Sequence, residues 1–167
     1  GYQETITDPS YAGQIVLQTA PHIGIVGVNK RDEESSRIWV SGYVVKEPSR
    51  MHSNWRAEDS LDAQLKDQGV VGISKVDTRA ITLRIRSAGA MRAGVFSAQG
   101  LTQEQMLDKV RKSAEMKGRF LSDSVSTGSR YTFEAEGDTK ATVAILDLGV
   151  KKSTLEHLAS RGIKSEV

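Results

Sequence analysis

The sequence predicts an α/β fold, and three observations carry the prediction. Strand and helix signals alternate through the middle of the chain: a capped helix after Ser60, an apolar run at Val70–Ile73, and a second capped helix that ends at Gly89. Arg37–Val45 alternates apolar and polar residues, which puts Ile38, Val40, Gly42 and Val44 on one side of a half-buried strand. The tail repeats the alternation, with a β-rich run at Thr142–Leu148, a helix over Ser153–Arg161 stopped by Gly162, and a further strand from Ile163.

The opening third reads as strands and turns. Gln14–Gln18 is a short apolar run after Gly13, Asn29–Ser36 is polar and reads as a loop, and a second loop at Lys46–Glu58 holds Pro48, His52 and Trp55. Ser60 caps a short helix with Leu61 and Leu65 on its inner face and Gly69 at its end, because a serine oxygen can accept from an amide that the first helical turn leaves unbonded. Asp77 or Thr78 caps the next helix, with Ile81 and Ile85 lining one face. Ala93–Phe96 then reads as a strand. Thr102 followed by Gln105 is a capping box for a helix with Met106, Leu107 and Val110 inward. From Ser122 to Lys140 the composition shifts to Ser, Thr, Gly and acids, a linker pattern with an edge strand around Tyr131–Phe133. One strand and one helix cannot bury their own apolar faces. Val143–Val167 therefore reads as the front edge of a second domain, and the turn-like Gly1-Tyr2 opening as the inside of a longer chain.

Composition narrows the functions. The 167 residues include 23 Lys and Arg against 21 Asp and Glu, a near balance with no long basic run, so nucleic acid is not an expected partner. No cysteine is present, which rules out a disulfide framework, a thiolate metal site and a thiol nucleophile within these residues. No apolar run reaches the length of a membrane span and no signal-peptide pattern opens the chain, so the expectation is a cytoplasmic protein with no membrane partner.

The candidate chemistry is sparse. Ser10 follows Asp8-Pro9, a turn-initiating pair, and a serine there commonly bonds nearby backbone; a hydroxyl that meets a substrate is the alternative. A nucleophilic role lacks support, because no G-x-S-x-G elbow surrounds Ser10 and His22 lies in its own Pro-His-Ile-Gly turn. His22, His52 and His157 have no metal-ligand spacing, so no metal site is expected. Asp32, Glu33 and Glu34 are adjacent in a polar loop where their side chains diverge, and solvation is their expected role. LGVKKST (Leu148–Thr154) has the outline of a phosphate loop, but Lys151 stands where a glycine is required and the motif's first glycine is missing as well. Arg79, Arg84 and Arg86 lie on the polar side of their helix, either as a solvated face or as a contact for an acidic partner or neighbouring domain.

Four longer strings go further. GYQETITDPSYAGQIV, PHIGIVGVNKRDEESS, the SNWR of Ser53–Arg56 and GVVGISKVDTRAIT (Gly69–Thr82) occur in the order found in the small, glutaminase subunit of glutamine-dependent carbamoyl-phosphate synthetase, and the sequence resembles that family. ATVAILDLGVKKSTLEHLASRGIKSEV resembles the start of the same subunit's class I glutamine amidotransferase domain. The resemblance implies a three-layer β/β/α swivelling-type domain over residues 1–121, with its first strands missing. A linker at 122–141 and the first β-α of a flavodoxin-like amidotransferase domain at 142–167 would follow. It implies docking on the large synthetase subunit, glutamine hydrolysis by a Cys-His-Glu triad, and passage of ammonia to that subunit, where ATP and Mg are used to make carbamoyl phosphate from bicarbonate for arginine and pyrimidine synthesis. A dry conduit would keep the ammonia from protonation, and a thiolate would split the hydrolysis into two steps. By motif, Ser10 would reach the glutamine pocket as a binding residue. Catalytic residues and cofactors would lie outside this chain, which has no cysteine and would be inactive alone. The chain also departs from the family at Ile25, where asparagine is usual. A stand-alone interaction module with no catalytic role is the competing reading.

Overall fold

The computed structural model describes residues 1–97 and 100–167. The chain opens with helix α1 (Tyr2–Thr7), which buries Gln3, Ile6 and Thr7. That i, i+3, i+4 spacing is one helical face, and it lies where the sequence reads as strands and turns. Pro9 ends the helix by driving Asp8 into extended backbone. Three short strands follow, β1 (Ile15–Leu17), β2 (His22–Ile23) and β3 (Gly42–Val44), and then β4 (Glu47–Pro48). Helix α2 (Leu61–Asp67) is capped as its sequence requires, with Ser60 Oγ accepting from Ala63 N at 3.1 Å and Leu61 and Leu65 buried. Strand β5 (Gly72–Ile73) precedes α3 (Thr78–Ala88), whose cap is Asp77 Oδ1 accepting from Ala80 N at 2.9 Å. Helix α4 (Gln103–Lys112) carries the reciprocal Thr102–Gln105 box. The chain closes with α5 (Ser122–Val125), β6 (Thr132–Phe133), β7 (Ala141–Ala144), α6 (Lys152–Ala159) and β8 (Ile163–Glu166).

The strands make three small sheets, mostly parallel, so the molecule is a mixed α/β structure. β3 lies between β1 and β5, parallel to both, with Tyr43 opposite Val16 on one side and Gly72 on the other. β2 pairs with β4 in parallel. In the third sheet β8 lies between β7, to which it is parallel, and β6, to which it is antiparallel. The β7–α6–β8 segment is thus a βαβ unit, the crossover that a parallel pair needs. Leu155 and Ala159, one turn apart on α6, form its buried side together with Val167. The main core gathers Ile6, Ile23, Val28, Ile38, Val40, Tyr43, Val45, Leu61 and Leu65. Each large apolar side chain there contributes about 1.5–3 kcal/mol of burial. Among the described residues no helix is long and apolar enough to cross a membrane.

The strand expected over Arg37–Val45 is shorter, because its first half finds other partners. Ile38 N donates to Gln68 Oε1 at 2.6 Å and Trp39 N to Ile6 O at 2.9 Å, which takes those amides out of any ladder while Ile38 and Val40 remain buried. Ala93–Phe96 is not a strand. A Cβ on Gly94 would sit 2.5 Å from the Phe96 ring, so that ring folds back over Gly94 against Val110. The apolar face that Ile81 and Ile85 line on α3 and the face expected to turn inward on α4 are also partly open, with Ile81, Ile85 and Leu107 exposed.

Candidate functional site

The turn that carries Ser10 is built from its own three residues. Asp8 Oδ1 accepts from Ser10 N at 2.8 Å, and Pro9 opens a single 3-10 turn over Pro9–Tyr11 in which Ala12 N donates to Pro9 O. Proline suits that first position because its missing N–H would have been unpaired there and its φ is already set. Pro9 is buried, Ser10 is exposed, and Gln14 Nε2 braces the turn by donating to Ser10 O at 3.0 Å. The Ser10 hydroxyl has no hydrogen-bond partner among the described residues. It is held in place by its backbone and left free at its tip, able to donate one hydrogen bond and to accept others.

The loop between β7 and α6 comes up against this turn. Asp147 organises it: Oδ1 accepts from Gly149 N and Val150 N, each at 2.8 Å, and Oδ2 accepts from Thr127 N at 2.7 Å. The loop amides are therefore occupied by a carboxylate of their own chain, a physical counterpart to the missing glycines of a phosphate loop. Gly149 has φ +99, and a Cβ there would stand 3.0 Å from Pro9 Cβ and 3.0 Å from Val125 Cγ2. Only glycine lets the loop approach the Pro9 turn this closely. Lys151 Nζ lies 3.9 Å from Asp8 Oδ2, a long and partly exposed pair that contributes well under about 1 kcal/mol.

Asp32, Glu33 and Glu34 diverge as expected, but solvation does not describe them. Asp32 accepts from Asn29 Nδ2 at 2.9 Å and faces Arg56 at 3.5 Å. Glu33 accepts from Gln64 Nε2 of α2 at 3.0 Å, and burial, helped by the nearby Glu58 charge, pushes its carboxyl above the usual range. Glu34 reaches α6: its carbonyl accepts from Lys152 N at 2.8 Å and its Oε2 from Ser153 N at 3.0 Å. Glu34 N also donates to Thr7 Oγ1 at 2.9 Å, and Ser35 Oγ donates to Thr7 O at 2.6 Å. Nothing local in the sequence signals Glu34, because its carboxylate acts across 119 positions.

Other features stay apart from Ser10. Two surface depressions, of about 450 Å³ beside Arg37–Ser41 and about 830 Å³ beside His52–Ala57, do not include it. His22 and His52 are exposed, His157 sits near the end of α6, and no cluster of metal-ligating side chains occurs among the described residues. Arg79, Arg84 and Arg86 are exposed along α3. The arrangement around Ser10 can hold a polar ligand by hydrogen bonds, and among the described residues no base is hydrogen-bonded to the hydroxyl to activate it for attack.

The class these features define is a mixed α/β chain whose N-terminal turn offers a free hydroxyl beside a C-terminal βαβ unit. Residues 1–95 match the family model for the carbamoyl-phosphate synthase small chain, CPSase domain. The chain is 54% identical over 168 positions to the carbamoyl phosphate synthase small chain of Streptomyces avermitilis, a match that covers all of this chain and 44% of that protein. The Streptomyces coelicolor small chain is also 54% identical with the same coverage, and that of Mycobacterium tuberculosis is 47% identical over 173 positions, covering all of this chain and 46% of that protein. The chain belongs to the carbamoyl-phosphate synthase small chain family, and it spans less than half the length of these relatives.

Proposed function

We infer that the chain is part of a glutaminase subunit that releases ammonia from glutamine and delivers it to a large synthetase subunit for carbamoyl phosphate synthesis, in the cytoplasm. In this reading residues 1–121 form the swivelling-type domain that docks on the large subunit, 122–141 the linker, and 142–167 the first β-α of the amidotransferase domain. The nucleophilic cysteine lies outside these residues, ATP and Mg belong to the large subunit, and this chain alone is inactive. Ser10 contributes a binding hydroxyl to the glutamine pocket. Glutamine carries both donors and acceptors, so one hydroxyl can meet either its carboxylate or its amide.

The observation that carries the reading is the exposed, unpartnered Ser10 hydroxyl, fixed by the Asp8-Pro9 turn against the loop after β7 in a member of this family. The test uses the full-length protein with its large subunit. Ser10→Ala is expected to raise the KM for glutamine by roughly three- to tenfold, the weight of one hydrogen bond, with the loss confined to the glutamine-dependent reaction. Unchanged glutamine kinetics reduce Ser10 to a turn residue. The exposed Ile81, Leu83 and Ile85 of α3 favour a second reading, a non-catalytic interaction module. Full-length protein that neither co-elutes with a large subunit nor hydrolyses glutamine would establish that reading instead.

A further inference from the structure

Helix α6 begins badly by local rules. Its N-cap is Lys151, which supplies no side-chain cap, its first residue is Lys152, and its first turn has no acid. Lysines at the positive end of a helix are unfavourable, and the leading amides of any helix need acceptors from elsewhere. Both needs are met by Glu34. Its carbonyl takes the Lys152 amide, its carboxylate takes the Ser153 amide, and its negative charge sits at the positive end of α6.

The other side of Glu34 grips the turn that carries Ser10. Glu34 N donates to Thr7 Oγ1, and the neighbouring Ser35 Oγ donates to Thr7 O. Thr7 is fully buried, and its hydroxyl also donates to Gln3 O at 2.8 Å, so it cannot shift without α1. Thr7 leads directly into Asp8, whose carboxylate holds Ser10 N. Hydrogen bonds therefore link the first amides of α6 to Glu34 and Glu34 to Thr7, and the backbone carries that link from Thr7 into the Asp8–Ser10 turn. The alternative link, Lys151 to Asp8 at 3.9 Å, is longer, and its lysine end is exposed to solvent.

We propose that Glu34 is a positioning residue that caps α6 from a distance and thereby fixes the Ser10 turn relative to the start of that helix. For glutamine binding the proposal rests on the reading of Ser10 above. The cap itself does not depend on that reading.

The experiment uses the full-length protein in complex with its large subunit, with Glu34→Ala, Glu34→Gln, Ser10→Ala, the Glu34→Ala/Ser10→Ala double variant, and Asp77→Ala, which strips the side-chain cap from α3. Two quantities are read: the KM for glutamine, and hydrogen exchange at the Lys152 and Ser153 amides. Glu34→Ala is expected to raise KM roughly three- to tenfold, the fold-change that loss of one cap allows, and to speed exchange at both amides. Glu34→Gln keeps an acceptor oxygen and is expected to restore most of each. The double variant is expected to be no worse than Ser10→Ala alone, since Glu34 acts through Ser10. The positioning role is overturned if Ser10→Ala raises KM and Glu34→Ala does not, if the two losses add, or if Asp77→Ala raises KM equally. If Ser10→Ala leaves KM unchanged, the glutamine reading fails and exchange decides the cap alone: faster exchange in Glu34→Ala upholds it, and unchanged exchange overturns it.

Discussion

Replacing Gln3 by leucine tests how α1 is held to the rest of the molecule. The Gln3 side chain is almost wholly buried and pairs with both backbone polar groups of one residue: Nε2 donates to Asn29 O at 2.8 Å, and Oε1 accepts from Asn29 N at 3.0 Å. Leucine has nearly the same volume but no polar atoms, so the substitution leaves a buried N–H and a buried C=O without partners. Each costs about 1–3 kcal/mol, and the added apolar burial returns about 1 kcal/mol. The expected net loss is about 3 kcal/mol, or a fall of roughly 2 M in the urea midpoint for m near 1.5 kcal/mol/M. The assay is urea denaturation followed by tryptophan fluorescence. Trp39 is the useful probe, since its backbone N donates to Ile6 O of α1 and its indole N–H to Ser35 Oγ, whereas Trp55 is already 90% exposed in the fold. Gln3→Glu sharpens the test. At neutral pH a carboxylate would accept from Asn29 N and set its other oxygen against Asn29 O, so that variant should also be destabilised. Its carboxyl pKa should be raised in the fold, which places its stability below the unfolded pKa and removes it as pH rises. Acidification should therefore narrow its deficit relative to Gln3→Leu. A Gln3→Leu loss below about 1 kcal/mol, or a Gln3→Glu deficit that ignores pH, would refute the two-bond account.

Three further outcomes are expected. Tyr43 is 1% exposed with an unpartnered hydroxyl among the described residues, and burial pushes its phenol well above the ordinary tyrosine value. Its folded-state proton is held more tightly than its unfolded one, so stability is full below about pH 10 and declines as pH rises beyond it. Tyr43→Phe should be neutral or stabilising by up to about 1 kcal/mol at pH 7, and should weaken the alkaline decline, both read from urea midpoints at pH 7 and above 10. Gly27 has φ +68, and a Cβ there would meet Ala57 Cβ at 2.7 Å and Asp59 O at 2.8 Å, so Gly27→Ala should cost about 2–3 kcal/mol and loosen the Val28–Asp59 bridge. A wild-type urea midpoint for that variant would mean the loop yields freely. Ile6 has no exposed surface, and Ile6→Ala should cost about 2–5 kcal/mol by the same assay; a loss under about 1 kcal/mol would place it outside the working core.

What the sequence made legible is what depends on near neighbours. The caps at Ser60, Asp77 and Thr102 involve an oxygen and an amide three residues apart, and all three form as read. So do the terminations at Gly69, Gly89 and Gly162, each with positive φ. Misreadings arise where an amide or an apolar side chain finds a distant partner. Gln68 takes the Ile38 amide and cuts short a strand that period-two alternation alone would extend. Val95 packs against Gly42, and the Phe96 ring folds over Gly94, so an apolar run that reads as a strand serves as filling instead. The Ser10 turn was legible as a turn, because Asp8 bonds the amide two residues on. The loop that approaches it lies more than a hundred positions away and could not be located by any local pattern.

The acidic triplet shows why that loss of legibility concentrates at the site. Three adjacent carboxylates in a polar loop give no periodicity, and each taken alone is an ordinary surface acid. Divergence is what makes them useful, because consecutive side chains leave the backbone in different directions and can reach different bodies. Asp32 meets Arg56, Glu33 meets Gln64 on α2, and Glu34 meets the start of α6. Drawing a carboxylate into the fold has a cost, visible at Glu33, whose pKa is raised first by burial and then by the nearby Glu58 charge. That cost is tolerable only if each acid returns a specific contact, and each of them does. The Glu34 contact joins the first helical turn of the βαβ unit to the Thr7–Ser10 segment, so the polar loop bears on the geometry around Ser10 without touching its hydroxyl.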